Sequence, residues 1–335
     1  MNSHVSATHL GIELPPDEHE RANVQRSVDE CLAALQHLQV QTRPILTRIE
    51  HLPVRYLRCE APHPIFNPSV VDTGDQLVFM SRCSSLRKVQ DKRSYYASNP
   101  HDTTNVLHIS SHGLADCRVQ WLDDSLLRSS CPFAQYGVED CRLFMWQGDL
   151  WALGAAVRPH DEFGLIVTQL LFKIHNGKVV DFFSLPSPYG LPEKNWIPHV
   201  LNDRLFFVYS FSPTIVYEFK DGRIYLQFTI GEGDTDFDVR GGTQLVAWNG
   251  CWLGIAHTKP LLLDKYYYCH KFVVLDHNLN VLDIGEPFFI QKRGIEFACG
   301  LARRGDDLIL SYGVSDRASA YCVLPPALVD RWIAI

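Results

Sequence analysis

A short pattern of apolar and polar positions occurs five times along the chain. In each copy a polar group opens or adjoins a first apolar run. A turn rich in Gly, Asn or Asp follows, and a second apolar run comes after the turn. The paired runs are 66–71 with 77–80, 138–143 with 150–153, 193–197 with 205–208, 240–245 with 252–255 and 296–301 with 308–310. Such pairs are typical of β-strands joined by tight turns.

The spacing of the copies predicts an architecture. They recur at intervals of about 45 to 75 residues, which is typical of the blades of a β-propeller. Further hairpins are predicted between the copies, at 165–185, 214–230 and 269–290. We therefore predict an all-β fold, a five-bladed β-propeller. The first strand of each blade would line the central channel, so five polar groups would converge on one axis.

The first 42 residues do not follow this pattern. Apolar residues from Val24 to Leu38 recur at helical spacing with charged residues on the opposite side, and Pro15-Pro16-Asp17 supplies a helix start. We predict an N-terminal extension, residues 1–42, with one amphipathic helix, followed by a catalytic propeller domain over residues 43–335. The helix is the candidate contact for a homodimer.

Composition excludes several classes of function. The chain has 335 residues, of which 46% are hydrophobic and 21% charged, as in ordinary globular proteins. The net charge of −7 and the lack of a Lys/Arg run argue against nucleic acid as a partner. No apolar stretch approaches the roughly 18 residues of a membrane span. No basic segment followed by an apolar core opens the chain, so we expect a cytoplasmic protein with reduced cysteines.

The second copy contains the most informative polar cluster. Glu139, Asp140 and Arg142 lie in a run bounded by apolar residues. Strand alternation places Asp140 and Arg142 on one face and Glu139 on the other. In a channel, a carboxyl group can transfer a proton and a guanidinium can hold an anion. The alternative interpretation is a structural ion pair between blades.

The other copies contribute mainly cations. Lys194, beside Asn195, belongs to the third copy, and Arg240 precedes two glycines in the fourth. These glycines would let backbone approach a ligand closely, or they form a β-bulge. The remaining candidates are Asn67, Arg82, His257, Tyr268, His270, Glu296 and Asp316. Because cations outnumber carboxylates in the first four blades, we expect a substrate that is itself an anion, such as a phosphate or a nucleotide-sugar diphosphate.

Other kinds of site lack their motifs. The 15 histidines form no HxH or HExxH pattern, so we predict no metal. There is no phosphate-binding P-loop, no GxGxxG after a strand and no GxSxG nucleophile turn. We therefore predict no cofactor.

Four polar runs resemble a known family. In order along the chain they are Val-Glu-Asp-Cys-Arg at 138–142, Glu-Lys-Asn-Trp-Ile-Pro at 193–198, Arg-Gly-Gly-Thr at 240–243 and Ser-Tyr-Gly-Val-Ser-Asp at 311–316. They are similar to runs in the five-bladed propellers of the mannoside phosphorylases, glycoside hydrolase family 130. They resemble still more the β-mannosyltransferases and dual transferase/phosphorylases of glycosyltransferase family 108. The resemblance covers residues 60 to 325 and leaves the N-terminal extension outside it.

The resemblance implies roles for individual residues. It implies Asp140 as the general acid and Arg142 as its anion-binding neighbour. It further implies a set of phosphate ligands, namely Lys194, Arg240, His257 and Tyr268. Cys141 stands where the phosphorylases have proline. This departure leaves the choice of donor open.

Three functions are consistent with these observations. The first, which we predict, is an inverting glycosyltransferase, a β-mannosyltransferase. It would use a sugar nucleotide such as GDP-mannose, or a sugar 1-phosphate, to extend a glycan acceptor. A mannoside phosphorylase is its close alternative. The second is a hydrolase of neutral oligosaccharides using Asp140, Glu296 and Asp316. The amide of Asn67 in the first blade argues against it, because hydrolases place a carboxylate there. The third is a non-catalytic propeller that binds a glycan or a protein.

Overall fold

The computed structural model describes residues 47–85, 87–88, 95–96, 102–110, 117–160, 164–189, 194–230, 239–259, 261–262 and 265–333, together with positions 18, 22 and 26. The chain divides into two units, Met1–Thr47 and Arg48–Ile335. Apart from those three positions, the helix expected in the N-terminal extension lies outside the described residues. That helix and the homodimer contact stay predictions.

The second unit consists mainly of short strands. In chain order the strands are β1 (Arg55–Leu57), β2 (Ile65–Asp72), β3 (Leu77–Ser84), β4 (Arg87–Lys88), β5 (Tyr95–Tyr96), β6 (Thr103–Ser110), β7 (Arg118–Trp121), β8 (Glu139–Trp146), β9 (Asp149–His160), β10 (Gly164–His175), β11 (Lys178–Leu185), β12 (Ile197–Leu201), β13 (Arg204–Phe211), β14 (Thr214–Lys220), β15 (Arg223–Ile230), β16 (Arg240–Gly241), β17 (Val246–Trp248), β18 (Cys251–Thr258), β19 (Leu261–Leu262), β20 (Lys265–Tyr266), β21 (Cys269–Leu275), β22 (Val281–Ile284), β23 (Glu296–Arg304), β24 (Asp307–Val314) and β25 (Ala318–Leu324).

Helices are few among the described residues. Helix α1 (Ser125–Ser130) and a 3-10 helix (Pro132–Tyr136) precede β8, and α2 (Pro326–Asp330) follows β25. In the described part of the chain, no helix combines the length and the apolar character needed to span a membrane.

The strands form five antiparallel blades, as predicted. The sheets run β2-β3-β6-β7, β8-β9-β10-β11, β12-β13-β14-β15, β16-β18-β21-β22 with β17 also paired to β18, and β23-β24-β25-β1. The innermost strands pack against one another; β2, for example, contacts both β8 and β23. The all-β, five-bladed prediction is therefore confirmed.

The repeated pattern corresponds to the two inner strands of each blade. The first run of the first, second and last copies lies within or against β2, β8 and β23. In the third copy, β12 begins only at Ile197, and the fourth inner strand is divided into β16 and β17. Two predicted hairpins are confirmed as β10–β11 and β14–β15, whereas the outer strand of the third, β22, ends at Ile284.

The ring is closed by β1, which the sequence pattern did not predict. It adds to the edge of the last blade by antiparallel pairing with β25, with Tyr56 opposite Ala320. An apolar core shared by the fourth and fifth blades includes Ile49 near β1 and Leu328 of α2. Joining the two ends of the propeller in one blade protects edges that an open sheet would expose.

A buried amide ties the blades together along the inner strands. The Nε2 of Gln244 donates to Ser69 Oγ at 2.8 Å, to the Val70 carbonyl at 3.1 Å and to the Leu143 carbonyl. Its Oε1 accepts from the Leu301 N–H at 3.3 Å. One side chain of the fourth blade thus contacts inner strands of the first, second and fifth blades. These hydrogen bonds join the inner strands just beyond the polar residues at their starts.

Candidate active site

Three polar residues at the starts of inner strands have unusual backbone angles. Asn67, Asp140 and Asn195 have φ values of 49°, 48° and 76°. In the first two blades the strand register shifts at these residues, which is the mark of a β-bulge. Positive φ costs a non-glycine residue about 1 kcal/mol or more, and Asn and Asp tolerate it best. At the two bulges the side chains of Asn67 and Asp140 meet, whereas Asn195 accepts a hydrogen bond from Arg142.

The Asp140 carboxylate lies at the centre of the resulting cluster. Its Oδ1 accepts from Asn67 Nδ2 at 2.8 Å and from Arg82 Nη1 at 3.4 Å. Its Oδ2 accepts from Lys194 Nζ at 2.7 Å. The residue is only 4% exposed. Side chains from three of the five blades therefore meet at one buried carboxylate.

Glu139 faces the same two cations, contrary to expectation. Its Oε1 accepts from Arg82 Nη2 at 2.7 Å and its Oε2 accepts from Lys194 Nζ at 3.3 Å. The expectation that Glu139 points away from Asp140 is wrong because it assumed regular alternation, and the bulge at Asp140 interrupts that alternation. We call Arg82, Glu139, Asp140 and Lys194 the ion cluster.

Charge within the ion cluster is balanced. Burial alone would raise the pKa of the Asp140 carboxyl, but the charges of Lys194, Arg82 and Arg142 hold it well below its usual range. Burial would lower the pKa of Lys194, yet Asp140 and Glu139 raise it. Asp140 is therefore ionised and Lys194 protonated at neutral pH. Lys194, with 36% of its side chain exposed, is the most accessible member.

Arg142 is bound to neutral acceptors rather than to a carboxylate. It donates to the Asp140 carbonyl, to Asn195 Oδ1 at 3.0 Å and to the Gly242 carbonyl at 3.1 Å. Its guanidinium carbon lies 5.3 Å from the Phe297 ring centroid. Among the described residues the Arg142 side chain forms no ion pair with a carboxylate, so its positive charge acts on the neighbouring ion cluster. These contacts also fix the backbone of Asp140.

One side of the site consists of cationic and aromatic side chains, most of them from the fourth blade. Arg240 is exposed and lies opposite His257 in the β16–β18 ladder. The buried His257 ring stacks on Tyr268, with centroids 5.7 Å apart, and meets Phe297 edge-on at 4.9 Å. Burial, aided by nearby positive charges, holds the pKa of His257 well below its usual range, so this histidine is neutral. Its buried Nδ1 has no hydrogen-bond partner among the described residues.

Two predicted site residues instead bind protein backbone. His270 is fully buried, its Nε2 accepts from the Ala298 N–H at 3.1 Å, and burial lowers its pKa to about 3. The Glu296 carboxylate accepts three backbone N–H bonds of 2.8–2.9 Å from residues 290–292. Burial raises the pKa of Glu296 even though these bonds oppose the shift. Both side chains support the fold beside the site.

Asp316 lies in the turn between β24 and β25, where its φ is 50°. Burial would lower the pKa of Arg82, whereas the charges of Glu139, Asp140 and then Asp316 raise it. The charge of Asp316 therefore acts on the ion cluster from this turn of the fifth blade. Its participation in substrate binding stays a prediction.

The two glycines after Arg240 lie in close contact with backbone, Gly241 with the segment before the third blade's inner strand and Gly242 with β18 of its own blade. A Cβ on Gly241 would lie 2.1 Å from the Asn195 carbonyl oxygen, and one on Gly242 would lie 2.5 Å from the Ile255 carbonyl oxygen. The backbone approach that we anticipated for a ligand is thus made by protein. The contribution of Phe297 was missed, although an aromatic residue directly after Glu296 in the last copy was a usable signal. Within the described residues, no group of three His, Cys, Asp or Glu side chains could hold a metal ion.

Comparison with known proteins supports the architecture. No family model and no curated protein sequence matches the chain. Solved structures do match, including the β-1,2-mannobiose phosphorylase of Listeria innocua, with 15% identity, a TM-score of 0.56 and coverage of 87% of this chain and 97% of that one.

Two proteins of Leishmania mexicana also match. The mannose phosphorylase MPT-4, solved with a phosphate ion, has 11% identity, a TM-score of 0.54 and coverage of 90% and 96%. The GDP-Man-dependent mannosyltransferase MPT-1 has 14% identity, a TM-score of 0.53 and coverage of 88% and 94%. At these identities the likeness shows a shared five-bladed fold.

Proposed function

We propose that this protein is a carbohydrate-active enzyme, an inverting glycosyltransferase of the β-mannosyltransferase type. Its donor would be a sugar nucleotide such as GDP-mannose, or a sugar 1-phosphate, and its acceptor a glycan. The observation that supports this most is the buried Asp140 carboxylate, held by an amide and two cations beside further positive charge. One proton-transferring group among cations suits a reaction whose leaving group is an anion.

The proposed step begins at the acceptor. In the transfer direction, the acceptor hydroxyl gives its proton to the Asp140 carboxylate while its oxygen bonds to the anomeric carbon of the donor sugar. The bond from that carbon to the phosphate oxygen breaks, and the phosphate leaves with the electron pair. Attack on the face opposite the phosphate inverts the configuration. Asp140 is ionised in the ion cluster and can accept this proton, which it holds once part of its contact with the cations is lost.

The reverse reaction uses the same groups. A phosphate oxygen attacks the anomeric carbon, and Asp140 returns its proton to the departing glycan oxygen. To hold that proton, Asp140 must first lose part of its contact with the cations. Lys194 is suited to this change because it is the most exposed member of the ion cluster and can turn toward a bound phosphate. Mannoside phosphorolysis is therefore the alternative activity most similar to the one proposed.

The phosphate would bind on the side of the third and fourth blades. Lys194 and Arg240 offer accessible charge there, and Arg142 contributes charge from below. The unpartnered Nδ1 of the neutral His257 provides a further polar contact. Tyr268, stacked on His257, completes this side. The phosphate-bound and GDP-Man-dependent neighbours support a donor of this chemical class.

A hydrolase is the second candidate, favoured by one observation. Two carboxylates, Glu139 and Asp140, lie in the same cluster, and some structural neighbours are named as glycoside hydrolases. Glu296, which was expected to act in hydrolysis, is less suitable, because its carboxylate already accepts three backbone N–H bonds.

A donor screen with purified protein tests the proposal. Binding of a sugar nucleotide, a sugar 1-phosphate or phosphate should raise the thermal unfolding midpoint, and one donor should give an elongated glycan of inverted configuration. Asp140→Asn should abolish turnover and keep the fold. Asp306→Asn, at a carboxylate whose side chain is 98% exposed, is the matched control and should behave as wild type.

Two results would overturn the proposal. Free sugar released from a neutral oligosaccharide, with no phosphate or nucleotide present, would favour the hydrolase. The absence of both turnover and thermal protection by any sugar phosphate or sugar nucleotide would favour a binding propeller without catalysis.

A further inference from the structure

A cavity lies between the first and fifth blades. Its volume is about 430 Å³, and it is lined by the segment that joins β1 to β2 and by the turn that joins β24 to β25. The polar and aromatic side chains of its lining are Tyr56, Arg58, His63 and Arg317. A volume of this size lies in the range of about 300–1,000 Å³ that is typical of small-ligand sites.

The cavity is positively charged. Arg58 and Arg317 are both exposed, and neither forms an ion pair with a carboxylate of the described residues. A guanidinium offers paired N–H donors that match the oxygens of a carboxylate or a phosphate. Two such groups from different segments around one cavity favour an anionic ligand.

The cavity also has an aromatic surface. Tyr56 is 42% exposed, and its hydroxyl accepts a hydrogen bond from Gln291 Nε2 at 2.9 Å. This bond fixes the ring while its apolar body stays accessible. An exposed tyrosine ring beside charged donors suits a sugar, which has an apolar face and polar edges.

The cavity adjoins the ion cluster along the chain. Ile65 lines it, and Asn67, which donates to Asp140, follows two residues later on β2. Arg317 directly follows Asp316, whose charge acts on Arg82. A glycan whose end reaches Asp140 would therefore extend toward this cavity.

We propose that the cavity binds an acidic sugar unit of the acceptor glycan, a sugar that carries a phosphate or a carboxylate. Arg58 and Arg317 would hold the anion, and Tyr56 would stack on the ring. The assignment to the acceptor rests on the proposed function; the binding of an acidic sugar does not.

The test compares binding of three probes to the full chain by calorimetry: mannose 6-phosphate, mannuronic acid and mannose. We expect the wild type to bind at least one acidic probe more tightly than mannose, and the two acidic probes distinguish phosphate from carboxylate. The double variant Arg58→Ala/Arg317→Ala should lose about tenfold or more in that affinity. Arg223→Ala, at an exposed arginine of the outermost strand of the third blade, should not.

Several outcomes would overturn this assignment. They are equal binding of the three probes and unchanged affinity in the double variant. Turnover with a neutral acceptor should persist in the double variant, and its loss would mean that the arginines support the fold or the central site. If the wild type transfers no sugar yet the double variant loses acidic-sugar binding, the proposed function fails and the cavity site stands.

Discussion

Replacing Lys194 by methionine removes one charge from the ion cluster and keeps much of the side-chain length. Lys194 Nζ lies 2.7 Å from Asp140 Oδ2 and 3.3 Å from Glu139 Oε2. After the replacement, Arg82 alone would balance two buried carboxylates. We expect the pKa of Asp140 to rise, because the loss of an opposite charge leaves burial less opposed.

The size of the effect follows from this geometry. An opposite charge at close range lowers the pKa of an aspartate by about 1–3 units, and each unit corresponds to about 1.4 kcal/mol. Because 36% of the Lys194 side chain is exposed, solvent screening places the effect in the lower part of this range. We expect a coupling free energy between Lys194 and Asp140 of about 2 kcal/mol at pH 7.

A double-mutant cycle measures this coupling. The free energies of unfolding of wild type, Lys194→Met, Asp140→Asn and the double variant are compared by urea denaturation. The folded-state pKa of Asp140 lies below its unfolded value, so its stabilisation is present above the unfolded pKa and is lost only as pH falls toward the folded pKa. The coupling should therefore be constant between about pH 8 and pH 5.

The control is Lys220→Met, at an exposed lysine of β14, which should be additive with Asp140→Asn. A coupling that falls between about pH 7 and pH 5 would mean that burial dominates and raises the pKa of Asp140. That result, or a coupling near zero, would refute the account of the ion cluster.

Three further substitutions test the supporting residues. Arg142→Met should lower the free energy of unfolding by about 3 kcal/mol or more, because it removes three buried hydrogen bonds; urea denaturation matching wild type would contradict its positioning role. Gln244→Leu should lower the free energy of unfolding by about 2–4 kcal/mol in the same assay, since it removes buried hydrogen bonds to three other blades. Gly313→Ala and Asn67→Ala should both reduce kcat, the former because its new Cβ would lie 1.9 Å from Asn67 Oδ1. Full activity of Gly313→Ala would show that Asn67 does not orient Asp140.

The blades were predictable because each is encoded locally. Every copy joins two strands by a tight turn, such as the turn at Gly148, and these signals depend on neighbouring residues only. The closure by β1 was not predictable. That strand has three residues, no turn marks it, and its partner β25 lies at the other end of the chain.

Part of the candidate site was also predictable. Convergence of Asn67, Asp140 and Lys194 follows from the radial arrangement of the inner strands. The orientation of Glu139 was not predictable, because it depends on the positive φ of Asp140 and the bulge there. The positioning role of Arg142 could not be predicted either, since its acceptors include backbone carbonyls that carry no sequence signal.

The most direct test of the central claim follows the donor phosphorus itself. Phosphorus NMR would monitor wild type and Asp140→Asn with each sugar nucleotide or sugar 1-phosphate in the presence of acceptor glycan. We predict that one donor signal is replaced by nucleoside diphosphate or inorganic phosphate in wild type only, in step with glycan elongation. Donor signals that stay unchanged with wild type, or decay equally with Asp140→Asn, would contradict a sugar transfer centred on Asp140.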